Sequence, residues 1–196
     1  MTKDKLIDKY RDINTDYEWW DCTESDLVDD LTEIGFSMDQ MYFSGFCSQG
    51  DGACFTGVMR EWGKFVEKTP SFVEAFPNTA NFLALEGGEY TISHRDRYCH
   101  EYSTSHEYRA DIEDEIEALE LVADGDALDY MKLATYKAAM REDGDSVEKW
   151  LTEHFRDKMR MLYKTLEAEY NYLTSDETVW ETLEANDMTE ELDDGE

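Results

Sequence analysis

The run Tyr42-Phe-Ser-Gly-Phe-Cys-Ser-Gln-Gly-Asp-Gly-Ala-Cys-Phe-Thr-Gly57 constrains this chain more than any other part of it. It holds one carboxylate, Asp51, and no base, inside a protein of formal net charge -30. Two short aromatic runs flank Gly50-Asp51-Gly52, where glycine reaches φ > 0 without a Cβ clash. Asp-Gly between apolar runs is a hairpin signal. The run therefore predicts paired strands over 41–47 and 53–59, buried on at least one face. Phe43, Phe46 and Phe55 are expected core anchors. Gly45 and Gly57 mark a bulge or a close approach by another element.

Composition bounds the rest. Of 196 residues, 41% are hydrophobic and 13% aromatic, enough for a real core despite the charge. Forty-eight acids against 18 bases oppose compaction, repel nucleic acid and anionic membrane, and attract basic surfaces. The start, MTKDKLIDKYRD, carries no apolar leader segment, and no run reaches the length of a membrane span. Cys22, Cys47, Cys54 and Cys99 lack the spacing of a secreted disulfide framework. Reduced thiols in a cytoplasm are the simplest expectation.

In chain order, residues 3–13 predict a short amphipathic helix with Leu6, Ile7 and Tyr10 on one side. Thr23-Glu-Ser-Asp26 reads as a capping box before Leu27, Val28, Leu31 and Ile34, with Gly35 as the stop. Glu61–Lys68 predicts a helix ending before Pro70, with shorter pieces at Ser71–Phe76 and Asn78–Leu85. A second hairpin is expected from Glu89–His94 and Arg97–Ser103, turning at Arg95-Asp96. Period two then sets Tyr98, His100 and Tyr102 along its second strand. From Ala110 the pattern is helical, with stripes through Ile112–Val122, Leu128–Met140, Ser146–Thr174 and Asp176–Ala185. The expected class is α+β: a small antiparallel sheet from two hairpins, about 41–59 and 88–104, packed with helices. Residues 1–106 form the motif-bearing region, 107–186 an acidic helical region packed on it, and 187–196 an acidic tail.

The opening run, together with Tyr17-Glu-Trp-Trp-Asp21, resembles an uncharacterised family of bacteriophage, prophage and plasmid proteins carrying the motif FSGF-x-SQGDGA-x-F-x-G. Some members are labelled antitoxin. The likeness spans the first half of the chain, through Tyr90–Tyr102. It implies a mobile-element origin and a bacterial host cytoplasm. Members often have Trp where this chain has Cys47, and Ser can replace Cys54, which weighs against either thiol carrying the family's chemistry.

Four constellations bear chemistry. Gly50-Asp-Gly-Ala-Cys54 resembles the Asp-Gly-x-Cys run of ovarian-tumour-type cysteine proteases, with His100 or His106 as base. A catalytic thiol needs a depressed pKa, whereas the strand reading makes Cys54 a small core residue. Cys47, Cys54, Cys99 and His100 could hold zinc only if the hairpins converge. His94, His100 and His106 with Arg95, Arg97 and Arg109 form the local cationic cluster. It suits an anion or nucleotide between walls of Tyr90, Tyr98 and Tyr102, or simple pairing with nearby acids. A small-molecule binder or Cys–His hydrolase on the two hairpins follows from these groups.

The carboxylates themselves are the fourth. Residues 16–39 hold nine acids and no Lys or Arg; 107–129 hold ten with only Arg109 opposing; 176–196 hold ten and no base. Ordinary solubility needs a net charge of only about 2–8. A helix from Asp111 to Asp129 would carry one carboxylate per roughly 3 Å of axis, close to the ~3.4 Å phosphate spacing of a DNA strand. The leading expectation is a non-enzymatic inhibitor, free of cofactor and metal, that mimics nucleic acid. It would block a basic host protein: a defence nuclease, a restriction-type complex or another DNA-binding assembly. The binding residues would be Asp111, Glu113, Asp114, Glu115, Glu117, Glu120, Asp124, Asp126 and Asp129, with Asp26, Asp29, Asp30 and Glu33 as a second face. An antitoxin-like protein that neutralises a basic toxin shares the same electrostatics.

Overall fold

The computed structural model describes residues 2–95, 97–122 and 127–191. Their elements are α1 (Lys3–Lys9), α2 (Asp21–Glu33), β1 (Phe36–Ser44), β2 (Gly52–Met59), α3 (Trp62–Lys68), α4 (Pro70–Ala75), α5 (Pro77–Glu86), β3 (Glu89–His94), β4 (Thr104–Arg109), α6 (Ile112–Val122), α7 (Ala127–Ala139), α8 (Gly144–Leu173) and α9 (Asp176–Ala185). The class is α+β, with the strands forming an antiparallel meander in the order β1-β2-β3-β4.

The first hairpin forms, but with other bounds and another turn. Gly35, at φ +80, ends α2, and a Cβ there would lie 2.3 Å from the Glu61 carbonyl oxygen. That glycine lets the chain pass directly from helix to strand, so β1 starts at Phe36 rather than 41. Gly50-Asp51-Gly52 is not a two-residue turn. Residues 45–51 form a loop folded on the Asp51 carboxylate, which accepts the backbone N–H groups of Cys47 and Ser48. Gly45 sits against that carboxylate and makes no bulge. The bulge falls between Met38 and Gln40, beside Gly57, whose Cβ would meet the Ser37 carbonyl oxygen at 2.2 Å. Of the three expected anchors, Phe55 is fully buried; Phe43 and Phe46 are half-buried.

The second hairpin differs more. β3 lies at Glu89–His94 as expected, but its partner is Thr104–Arg109, paired from Glu89↔Arg109 to His94↔Thr104. Residues 95–103 are a connector ending in a 3-10 turn at Glu101–Ser103; Asp96 lies outside the described residues. Two contacts hold it out of the sheet. His100 Nδ1 accepts the Tyr102 N–H, and its backbone fills the space a Cβ on Gly52 would take, at 2.5 Å. Tyr98, His100 and Tyr102 therefore do not line a strand.

The helix starts also move. α2 begins at Asp21, so Thr23 is inside the helix and caps nothing; its hydroxyl donates to Glu169 on α8. Pro70 and Pro77 each open a helix, where the missing N–H is no loss. The first-turn amides of Asn78 and Thr79 on α5, which have no partner within the helix, donate to Glu142, which follows α7. Burial opposes the charge of Glu142, yet these hydrogen bonds from Thr79 and Asn78 hold its carboxyl below the usual range.

α8, about 45 Å long at 1.5 Å per residue, organises the core. Val147, Leu151, Phe155, Met159, Leu162 and Leu166 recur every three or four positions and are buried. This stripe packs on β2, which is buried along most of its length. One apolar cluster runs from Trp19 on the approach to α2 to Leu166 on α8. A second, of Leu6, Ile7, Val179 and Leu183, joins α1 to α9. Beyond α9, Met188–Glu191 form a 3-10 turn; the rest of the expected tail, 192–196, lies outside the described residues.

Candidate functional site

The acidic segments fold into two separate helical faces. On α2, Asp26, Asp29, Asp30 and Glu33 occupy positions i, i+3, i+4 and i+7, and all are exposed. The opposite stripe, Leu27 and Leu31, turns toward α8, so packing of the apolar side sets the direction of the charged one. On α6, Ile112, Ile116 and Leu119 face the core, which leaves Glu113, Asp114, Glu117 and Glu120 exposed. In each set, four carboxylates step along the axis at about 3.5 Å, near the phosphate interval of one DNA strand.

The two faces are not one. α2 packs against β1, whereas α6 leaves from β4, the opposite edge strand of the sheet. The span from Asp111 to Asp129 takes in two helices rather than one axis, as the separate stripes through Ile112–Val122 and Leu128–Met140 predict. α6 ends at Val122, and α7, which begins at Ala127, packs back against it and pairs Lys137 with Glu120, so Asp129 does not share an axis with the α6 carboxylates. Asp111 is exposed just before α6 and accepts from Arg109 at 2.8 Å; Glu115 and Asp129 are half-buried. Asp124 and Asp126 lie outside the described residues. Glu33 pairs with Lys68, which holds its carboxyl below the usual range, and Glu120 pairs with Lys137 at 2.5 Å. Among the described residues, Asp26, Asp29, Asp30, Glu113 and Glu117 have no cation within ion-pair distance.

The glycine-rich motif has a structural task. Two of its aromatics, Phe43 and Phe46, meet Trp19 and Trp20, together with Tyr163 and Tyr170 of α8. Centroids lie 4.9 to 6.1 Å apart across these contacts with Trp19, Trp20, Tyr163 and Tyr170, the range of packed rings. The cluster fastens the loop to α8, and Trp19, Phe43, Phe46 and Tyr170 line an open cleft of about 410 Å³ beside Asp51.

The cationic cluster is internally engaged. His94 stacks on Tyr42 at 4.4 Å and contacts the Tyr98 carbonyl at 2.8 Å. Arg95 donates to Ser105, Arg97 lies over Tyr98, and Arg109 pairs with Asp111. Cys54 is wholly buried in β2, and none of the four cysteines, all described, forms a disulfide. Among the described residues, no group of three or more His, Cys, Asp or Glu is placed to hold a metal ion. No described helix is long and apolar enough to cross a membrane.

Sequence reasoning missed a buried polar chain between sheet and α8. Tyr90 hydrogen-bonds Thr152 and lies 2.7 Å from His106 Nδ1; Thr104 Oγ1 lies 2.9 Å from Nε2 and donates its own proton to the Glu101 carbonyl. With the Thr104 proton committed, Nε2–H must donate to Thr104, and Nδ1 accepts from Tyr90. In this arrangement His106 is neutral, and protonation would require the Tyr90 hydroxyl to turn and accept from Nδ1. Burial first, then Arg156 and Arg95, push its pKa down to about 4. Burial and then Lys158 bring His154 to about 4 as well, with Asp157 opposing. Only the alternation of β4, displaced from its expected register, could have marked His106 as inward.

These two imidazoles carry a pH dependence. Unfolded, each takes a proton near 6.5; folded, only near 4. Between those values the unfolded chain binds more protons, so stability present above pH 6.5 is lost as pH falls toward 4. His106→Gln with His154→Gln is expected to flatten this limb relative to wild type in urea titrations at stepped pH. An unchanged slope would show that neither imidazole is buried neutral.

No curated protein and no solved structure matches the chain. Residues 19–176 match the family described as Domain of unknown function (DUF8835), and the chain belongs to that family.

Proposed function

We propose that this protein binds a basic protein partner through its carboxylate faces and acts as a nucleic-acid mimic toward a nuclease or other DNA-binding assembly. One observation supports the reading above the rest. Asp26, Asp29 and Asp30, and again Glu113, Asp114 and Glu117, stand exposed on helices whose other sides are locked into the core. Fixed carboxylates at nucleic-acid-like spacing gather cations that a basic groove displaces, as it displaces those around phosphates, and ordering the carboxylates costs little on binding. The mobile-element resemblance supports an inhibitor of a host defence factor, in the host cytoplasm, and the reading requires no catalysis.

Affinity purification of the tagged chain from bacterial lysate at low salt tests this, with the retained protein identified by mass spectrometry. The expected result is a DNA-binding protein that duplex DNA competes away and that elutes as salt rises. Recovery of a small basic toxin would replace this reading with the antitoxin one. Retention indifferent to salt and DNA would overturn both.

A further inference from the structure

A second feature of the α2 face bears on how a partner would be held. Between α2 and the middle of α8 runs a cleft of about 250 Å³. Its floor is Leu31 and Leu162, both buried, with Leu27 half-buried above them. One wall ends in Met161, 68% exposed, and the other in Asp26 and Asp30, one helical turn apart on α2. Small-molecule pockets run from roughly 300 Å³ upward, so this cleft suits a single side chain. It is apolar along its length and anionic at one rim.

We propose that the cleft receives an arginine side chain of the basic partner, which rests on the binding mode proposed above and names its anchor. The three-carbon stem lies along Leu27, Leu31 and Met161, and the guanidinium forks between Asp26 and Asp30. Charge complementarity selects this occupant. Among the described residues neither carboxylate has a cation within ion-pair distance, and an apolar side chain would leave both unanswered beside it. Arginine fits better than lysine because its planar donors engage two carboxylates at once, whereas an ammonium is a strongly hydrated point charge. Long cationic side chains cover apolar surface with their stems while the head stays at the polar rim. Lys158 stands on the facing rim and makes no ion pair with either aspartate; it weakens the site rather than filling it.

Nona-arginine and nona-lysine peptides, equal in charge, are the probes, read by the ε-methyl NMR signals of methionine-labelled protein. The expected result is that nona-arginine shifts Met161 while sparing Met131 and Met140, and binds several-fold tighter than nona-lysine. Asp26→Asn with Asp30→Asn should weaken nona-arginine about tenfold, as for two charge-assisted contacts. Glu113→Gln with Glu117→Gln, the same change of charge on α6, should cost less than threefold, and Lys158→Met should tighten binding. Equal losses from both pairs, equal affinity for both peptides, or shifts at Met131 and Met140 instead would overturn the anchor and leave the charge-based reading standing. Failure of the wild-type protein to bind either peptide at low salt would overturn that reading itself.

Discussion

Exchanging Asp26, Asp29, Asp30, Glu113, Asp114 and Glu117 together for lysine is expected to lower affinity for the retained partner by about a thousandfold or more. Exposed charge contacts contribute about 0.2–1 kcal/mol each, so six lost contacts alone approach the roughly 4 kcal/mol that a thousandfold represents. Reversal adds like-charge repulsion. The dependence of log K on log salt should flatten in parallel, since fewer counterions are released. Folding is a separable control. All six side chains are exposed, and the chain carries a net charge of -30, so the variant should be at least as stable as wild type. A variant that folds and still binds within tenfold of wild type would remove the carboxylates from the mechanism.

Phe155→Ala is the substitution expected to hurt stability most. Its ring is fully buried at the centre of the molecule, 4.7 Å from Phe36, 5.2 Å from Tyr90, 6.3 Å from Phe55 and 6.4 Å from Phe65. These neighbours come from β1, β3, β2 and α3, elements that cannot collapse together into the hole without breaking the sheet. Truncating such a ring costs about 3–5 kcal/mol, a large share of the roughly 5–15 kcal/mol that holds a domain folded. Urea unfolding should show the midpoint falling with the slope unchanged. A loss under about 1 kcal/mol would mean that α8 does not organise the core as described.

Much of the fold was legible from period alone. The stripe from Val147 to Leu166 marks α8 because a single long amphipathic repeat admits one buried side. β3 at Glu89–His94 was likewise readable from alternation and the preceding Gly87-Gly88. The partner of β3 was not. Arg97–Ser103 alternates as well as Thr104–Arg109 does. The choice falls to the connector, whose His100 backbone packs where Gly52 lacks a side chain, a contact 48 positions apart in sequence. Phe36–Gln40 was missed for a related reason: Asp39 and Gln40 are polar, and their place on an edge strand, open to solvent, is what tolerates them.

The acidic faces divide the same way. Spacing at i, i+3, i+4 and i+7 along 26–33 marks a charged stripe, because a helix returns to the same side every 3.6 residues. Local sequence likewise determined the α+β class, the helical second half and the hairpin glycines, since each follows from backbone sterics and the period of apolar side chains. Only the tertiary structure decided that the stripes on α2 and α6 are separate, that a cleft opens beside the first, and that His106 turns inward. Those outcomes depend on which distant elements share the core, and burial free energy is settled by the whole packing rather than by any one segment.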